Sequence, residues 1–199
     1  MHETLLTSEQ KSALRAAALA KRDAMPATER QAAAEIIAVR ALPVAVAPGT
    51  IVAAFMPMKS EINPLPLLRK FAEAGAQLAL PCIAGRGKPL IMRAWQFGDS
   101  FKTGQWGIRE PMPDAAAVAP DIVIVPLACF DRAGHRIGYG AGYYDTTIAS
   151  LRAQKKVIAI GIGFAAQEIS QVPATERDER LDLVLTEREM IDFRRPSSA

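Results

Sequence analysis

The stretch D-I-V-I-V-P, Asp121–Pro126, has four aliphatic residues in a row between an acid and a proline. A short, continuous apolar run of this kind is typical of a strand that is buried on both faces of a sheet. The runs T-I-V-A-A-F at Thr50–Phe55 and V-I-A-I-G-I at Val157–Ile162 have the same character. A segment typical of a helix, from Tyr143 to about Gln154, separates the runs at 121–126 and 157–162. Apolar strands separated by helices predict an α/β protein whose mostly parallel sheet is covered on both faces.

Other segments extend this pattern towards both ends of the chain. A hydroxyl followed by an acid at Thr7–Gln10 indicates a helix start, and the helix is expected to continue to Met25 before Pro26. Further helices are predicted at about 29–40 and 63–74, and further strands at 77–83, 90–97 and 183–186. Residues 98–119 are expected to be loop. One domain over 1–199 is expected, with N-terminal helices over about 8–40 and a frayed tail at 195–199.

The composition is that of an ordinary soluble globular protein. The net charge of +3 hints only weakly at an anionic ligand. The N-terminus lacks the basic and apolar regions of a signal peptide, and no stretch approaches the roughly 20 apolar residues that span a bilayer, so we expect a cytoplasmic protein without a membrane partner. Cys82 and Cys129 lie in apolar stretches, which predicts buried free thiols. Two histidines are too few for a Cys/His zinc cluster.

The stretch R-I-G-Y-G-A-G-Y-Y-D, Arg136–Asp145, has the strongest functional signal. Three glycines expose backbone N–H groups, and the start of the following helix adds partial positive charge, so the stretch is suited to hold phosphate. Arg136 can add a bidentate contact to the phosphate oxygens, and Asp145 is placed to hold Mg²⁺. A purely structural turn is the competing interpretation. The spacing matches neither the G-x-G-x-x-G nor the P-loop motif.

The stretch, together with V-P-L-A-C-F-D before it, resembles the signature of the 5-formyltetrahydrofolate cyclo-ligase family, also called methenyltetrahydrofolate synthetase. Four more segments resemble family elements in the same order and extend the likeness over nearly the whole chain: K-S-A-L-R at 11–15, M-P-M-K-S-E-I at 56–62, W-G-I-R-E-P at 106–111 and V-P-A-T-E-R-D-E-R-L-D-L-V-L at 172–185. The resemblance implies a three-layer α/β/α sandwich, Rossmann-like. It also implies ATP-dependent cyclisation of 5-formyltetrahydrofolate to 5,10-methenyltetrahydrofolate, with release of ADP and phosphate.

The resemblance also implies roles for individual residues. It gives Lys11 and Arg136 catalytic roles. It assigns ATP contacts to Lys11, Arg15, Arg136, Ile137, Gly138, Tyr139, Gly140, Ala141, Gly142, Tyr143 and Tyr144. It assigns folate contacts to Met56, Glu61, Trp106, Tyr139 and Tyr143. It assigns Mg²⁺ to Asp145 and Asp178. Arg177, directly before Asp178, departs from the family pattern, so Asp182 stays open as a less favoured substitute for Asp178.

The partners expected from the resemblance are Mg-ATP and 5-formyltetrahydrofolate, with or without a polyglutamate tail. The protein is expected to be a monomer. The rival interpretation is a non-catalytic protein on the same scaffold that binds nucleotides or associates with nucleic acid, in which Tyr143 and Tyr144 stack on bases. Lys and Arg are dispersed rather than striped, and aromatic residues are only 6% of the chain, which argues against nucleic acid.

Overall fold

The computed structural model describes residues 2–194, with side chains from Ser8 onward. The four α-helices are α1 (His2–Asp23), α2 (Ala27–Val39), α3 (Leu65–Glu73) and α4 (Tyr143–Arg152). The strands are β1 (Ile51–Ala53), β2 (Gln77–Cys82), β3 (Ile91–Ala94), β4 (Phe101–Thr103), β5 (Arg109–Pro111), β6 (Ile122–Pro126), β7 (Cys129–Phe130), β8 (Arg136–Ile137), β9 (Ile158–Ile162), β10 (Leu183–Leu185) and β11 (Met190–Asp192). Short 3₁₀ turns occupy Gln105–Gly107 and Ala165–Gln167.

Seven strands form one sheet in the order β11-β10-β9-β6-β1-β2-β3. The five central strands are all parallel, and the antiparallel strands β3 and β11 close the two edges. The aliphatic run Ile122–Pro126 is the central strand and is buried along its whole length. The predicted α/β fold with a mostly parallel sheet is therefore confirmed.

The two faces of the sheet are covered by different helices. Since alternate residues of a strand point to opposite faces, β6 contributes to two separate cores. Ile122 and Ile124 of β6 belong to a core that includes residues of α2 and α3. Val123 and Val125 belong to a second core that contains Ile148 of α4. Helix α1 packs separately, with Ala18 against the β7–β8 hairpin. The result is the expected three layers, with α1 as an addition near one end of the sheet.

Three local predictions were wrong. Helix α1 begins at His2 rather than near residue 8, because neither glycine nor proline interrupts the chain between them. The expected loop 98–119 contains the antiparallel hairpin β4–β5, whose three-residue strands are too short to show a period in the sequence. No strand was predicted after 183–186, whereas β11 follows that strand and pairs with it. The predicted frayed tail at 195–199 lies outside the described residues.

The structure confirms the predicted burial of the two cysteines. Phe55, Trp95 and Phe130 are core residues, and both cysteines are buried free thiols. Within residues 2–194, no helix combines the length and the apolar character needed to cross a membrane. Two features matter most for function: α1, which lies against the β7–β8 hairpin, and the loops that leave the parallel strands at their carboxyl ends.

Candidate functional site

The glycine loop, residues 138–142, joins β8 to the start of α4. Gly140 and Gly142 have φ angles of 95° and 69°, in the left-handed region that favours glycine. Gly142 is the N-cap of α4, as the sequence predicted for a helix that starts at Tyr143. Tyr139 to Gly142 are exposed. The loop therefore presents backbone groups to solvent beside a helix N-terminus, where partial positive charge favours an anion.

Helix α1 carries three basic side chains to this region. Lys11 Nζ lies 2.6 Å from Asp178 Oδ2, and Arg15 Nε donates to the Gly138 carbonyl at 2.7 Å. Arg22 Nη1 donates to the Tyr139 hydroxyl at 2.5 Å. Two of the three side chains therefore contact the glycine loop, and the third contacts the segment that carries Asp178.

Arg136 is buried and bonds to the protein itself. Its Nη2 donates to Asp145 Oδ1 at 2.8 Å, and its Nη1 donates to the Glu179 carbonyl at 2.6 Å. Only 3% of its side chain is exposed. These bonds make Arg136 a tie between Asp145 and the neighbouring segment, and its predicted phosphate contact stays a prediction. The Glu179 N–H also donates to Asp145 Oδ1, at 3.1 Å.

The two predicted metal-side carboxylates each have one oxygen engaged by protein donors. Asp145 uses Oδ1, as described, and Asp178 uses Oδ2 for Lys11 and for the N–H and hydroxyl of Thr175. Although burial opposes it, the Lys11 hydrogen bond lowers the pKa of Asp178, so its carboxylate is charged. No cluster of three or more His, Cys, Asp or Glu exists in the described part of the chain. The donors fit Mg²⁺, which takes one or two carboxylates and fills its remaining positions with water and phosphate.

Asp182, the substitute for Asp178, lies elsewhere. Its Oδ2 accepts from Arg152 and from the Ala159 N–H, both at 2.8 Å. Ala159 is near the amino end of β9, whereas the glycine loop belongs to the loops beyond the carboxyl ends. The structure thus groups Asp178, rather than Asp182, with the glycine loop and α1.

Glu61 lies in the loop after β1. Its Oε2 accepts the Met58 N–H at 2.7 Å, and Tyr139 lines the same crevice. Burial raises the pKa of Glu61, and the bonds from Tyr139 and Met58 and the charge of Arg22 oppose that rise. Tyr139, predicted to be at the nucleotide and the folate, thus joins the glycine loop to the predicted pterin carboxylate.

Sequence reasoning missed Arg22 and Ser60. Arg22 is buried, and its Nε donates to the Ser60 hydroxyl at 3.0 Å. In the sequence, Arg22 resembles any basic residue in the last turn of a helix. Its position eleven residues after Lys11 was the available signal, because eleven residues are about three helical turns and return to the same face.

The remaining predicted residues divide into two groups. The Ile137 side chain is buried in the small core with Ala18, and the Met56 and Tyr144 side chains pack against the two main cores. Trp106 is 61% exposed, and its ring centroid lies 6.2 Å from that of Tyr143. The first group packs on the protein interior and the aromatic pair is open to a ligand, and the ligand contacts of both groups stay predictions.

Backbone strain marks the two loops that carry the predicted folate residues. Lys59 and Trp106 have φ angles of 53° and 59°, and they are the non-glycine residues with positive φ in the described chain. A left-handed conformation at such residues persists only where the surroundings enforce it. Lys59 precedes Ser60 and Glu61, and Trp106 lies in the turn of the β4–β5 hairpin.

Comparison with known proteins agrees with this geometry. The sequence model of the 5-formyltetrahydrofolate cyclo-ligase family matches residues 7–187. The 5-formyltetrahydrofolate cyclo-ligase of Mycolicibacterium smegmatis is 31% identical over 191 residues, which cover 91% of this chain and 95% of that protein. The same enzyme of Escherichia coli is 29% identical over 143 residues, 68% of this chain and 76% of the other. The NMR structure of Aquifex aeolicus 5,10-methenyltetrahydrofolate synthetase superposes with a TM-score of 0.76 at 27% identity and covers 95% of both chains.

Proposed function

Because this chain belongs to the 5-formyltetrahydrofolate cyclo-ligase family and is an ATP-dependent cyclo-ligase, we propose that the glycine loop holds the triphosphate of ATP while Glu61 holds the pterin of 5-formyltetrahydrofolate. The observation that carries the assignment is that Tyr139, which belongs to the glycine loop, lines the same crevice as Glu61. The two binding regions therefore share a boundary, and a γ-phosphate in one can face a formyl oxygen in the other.

The chemistry requires activation of a poor electrophile. The N5-formyl group is amide-like, and N10 cannot close onto it and expel hydroxide. In the proposed route, the formyl oxygen attacks the γ-phosphorus and ADP leaves. N10 then attacks the resulting iminium carbon and loses its proton, and the carbon–oxygen bond to phosphate breaks. The protein contributes mainly positioning and charge stabilisation, as in other phosphoryl transfers.

The basic residues of α1 have separate tasks in this proposal. Lys11 and Arg15 lie four residues apart on one helix face, so both can reach one anion. Arg15 also supports the loop through the Gly138 carbonyl. Arg136 acts through Asp145 rather than on phosphate directly, since its guanidinium is buried and engaged. The Arg136→Ala substitution should still weaken nucleotide binding far more than folate binding.

Asp145 and Asp178 would hold Mg²⁺ through their free oxygens. The ion would neutralise charge on the β- and γ-phosphates during transfer. Trp106 and Tyr143 would pack on flat parts of the folate, where aromatic contacts contribute about 0.5–1.5 kcal/mol per pair beyond area burial. In this proposal the enzyme acts as a cytoplasmic monomer.

The test is the appearance of the methenyl chromophore after mixing enzyme, Mg-ATP and 5-formyltetrahydrofolate. Glu61→Gln should raise the KM for folate at least tenfold and leave the KM for ATP within about twofold, because it removes one buried, charged acceptor. Equal effects on both substrates would contradict the assignment of Glu61. A wild-type protein that forms no chromophore at high concentration would contradict the catalytic assignment itself.

A further inference from the structure

Arg22 is a buried cation whose ion pair with a carboxylate is long. Its side chain is 4% exposed, and its ion pair with Asp23 spans 3.9 Å, longer than a hydrogen bond. Its two hydrogen bonds go to neutral hydroxyls, those of Ser60 and Tyr139. Guanidinium groups withdrawn from water are normally paired directly with an anion. The positive charge of Arg22 is therefore only loosely compensated by Asp23, and it can act on another group in the same crevice.

The place is the crevice that contains Glu61. Arg22, Glu61 and Tyr139 line it, with Phe55, Ile62 and Gln167 among the other walls. The Arg22 guanidinium carbon also lies 5.8 Å from the centre of the Tyr139 ring. The same cation thus contacts both the hydroxyl and the ring of Tyr139, and Tyr139 lines the crevice beside Glu61.

We infer that Arg22, acting through Tyr139 and Ser60, holds Glu61 in the ionised and oriented form that a pterin requires, which makes Arg22 a positioning residue for folate recognition. The inference rests on the proposed role of Glu61 as the pterin contact. Ser60 precedes Glu61 in the chain, so its bond to Arg22 fixes the backbone of the loop, and Tyr139 fixes the carboxylate.

Ionisation of Glu61 matters because of the donors it must accept. A carboxylate can accept from an amino group and a ring N–H together, whereas a protonated carboxyl has one oxygen committed as a donor. Burial raises the pKa of Glu61, and Tyr139, the Met58 N–H and Arg22 act against it. Tyr144 faces the same carboxylate from α4 and is neutral, because burial raises the pKa of its hydroxyl. Among these groups, Arg22 supplies the positive charge that acts against the rise.

The experiment measures the dissociation constants of 5-formyltetrahydrofolate and, separately, of a non-hydrolysable ATP analogue with magnesium, by calorimetry. Arg22→Gln should weaken folate binding about 10- to 100-fold, the effect of losing hydrogen bonds to a charged group. Its ATP-analogue affinity should stay within about twofold. Lys21→Gln is the matched control, since Lys21 is the exposed neighbour on the same helix and its loss removes the same charge. It should bind both ligands as the wild type does.

Two further variants keep the test decisive if Arg22→Gln fails to fold. Arg22→Lys keeps the charge but cannot span both hydroxyls, so folate binding should be only partly restored. Tyr139→Phe removes the hydroxyl that joins Arg22 to Glu61 and should also weaken folate binding selectively. Wild-type folate affinity in both variants would overturn the inference, as would equal losses of folate and ATP-analogue affinity in Arg22→Lys.

The pH dependence separates positioning from general support of the fold. Folate affinity of the wild type should fall as the pH drops through the folded pKa of Glu61, because protonation removes an acceptor. In Arg22→Gln this fall should begin at higher pH, and in Lys21→Gln it should not move. An unshifted acid limb in Arg22→Gln would overturn the inference. Wild-type folate affinity in Glu61→Gln would instead refute the proposed function on which it rests.

Discussion

The backbone of the glycine loop can be tested by two substitutions that differ in one physical respect. Gly140 has a φ of 95°, and a Cβ there would lie 3.5 Å from the guanidinium carbon of Arg15. Gly138 has no positive φ, and a Cβ there would meet nothing within 4 Å. Gly140→Ala therefore introduces backbone strain, whereas Gly138→Ala introduces none in the free protein.

The magnitude follows from the backbone alone. An alanine forced into a left-handed conformation costs about 1–2 kcal/mol. The contact at 3.5 Å is ordinary van der Waals distance and adds little. Either alanine also stiffens the unfolded chain, which stabilises the protein by about 0.4–1 kcal/mol. That contribution cancels between the two variants, so Gly140→Ala should be about 1–2 kcal/mol less stable than Gly138→Ala, or about 2–8 °C lower in Tm.

Urea unfolding measures this difference, and calorimetry with a non-hydrolysable ATP analogue measures where the strain goes. If the loop of Gly140→Ala relaxes out of the left-handed conformation in the free protein, nucleotide binding must restore that conformation. The nucleotide affinity should then fall about 5- to 30-fold, which corresponds to the same free energy. The reasoning would be refuted if Gly140→Ala matched Gly138→Ala in stability and also bound nucleotide as tightly as the wild type. That result would mean that the left-handed conformation of the loop is not maintained in solution.

Further predictions concern the pairs and cores around the site. Lys11→Met should weaken nucleotide binding about tenfold or more in calorimetry and leave folate binding unchanged, because it removes a charge-assisted contact. Lys11 lowers the pKa of Asp178, so the ionised Asp178 stabilises the folded protein above pH 3.8, and this stabilisation is lost as the pH falls below that value. The urea midpoints of the wild type and of Asp178→Asn should therefore converge below pH 3.8. Burial raises the pKa of Cys129 to about 11, so a thiol reagent at neutral pH should label neither it nor Cys82 until the protein unfolds. Phe164→Ala, at a fully buried position, should lower the free energy of unfolding by about 3–5 kcal/mol in urea titrations.

The sequence predicted those parts of the fold that depend on uninterrupted local patterns. Ile122–Pro126 reads as a buried strand because burial on both faces requires apolar residues at every position. The start of α4 was equally clear, since three glycines before Tyr143 leave few alternatives to a turn. The β4–β5 hairpin was not predictable in this way. Its pairing is supported by Glu110, which is buried and accepts from the Ile83 N–H, a contact between residues 27 positions apart.

The same distinction holds for the site. Lys11, Glu61 and the glycine loop could be predicted as site residues because each belongs to a short recognisable segment. What Arg136 contacts was not foreseen, because its partners Asp145 and the Glu179 carbonyl are set by tertiary packing. Arg22 escaped notice for a related reason. A basic residue near a helix end is usually solvated, and only the packing of α1 against the loops makes this one buried.

Helix α1 explains why nucleotide and folate residues lie at fixed separations. At about 100° per residue, Arg15 and Arg22 are rotated by only about 40° and 20° from Lys11, so the three form one narrow stripe. The stripe is about 16 Å long at 1.5 Å per residue. Its contacts follow in order: Asp178 at Lys11, the Gly138 carbonyl at Arg15, and Tyr139 with Ser60 at Arg22. In the proposed function, a rigid helix that contacts the Asp178 segment at one end and the Glu61 loop at the other would set the distance between the two substrates. Phosphoryl transfer is sensitive to that distance, because reacting atoms must be held about 3–3.5 Å apart.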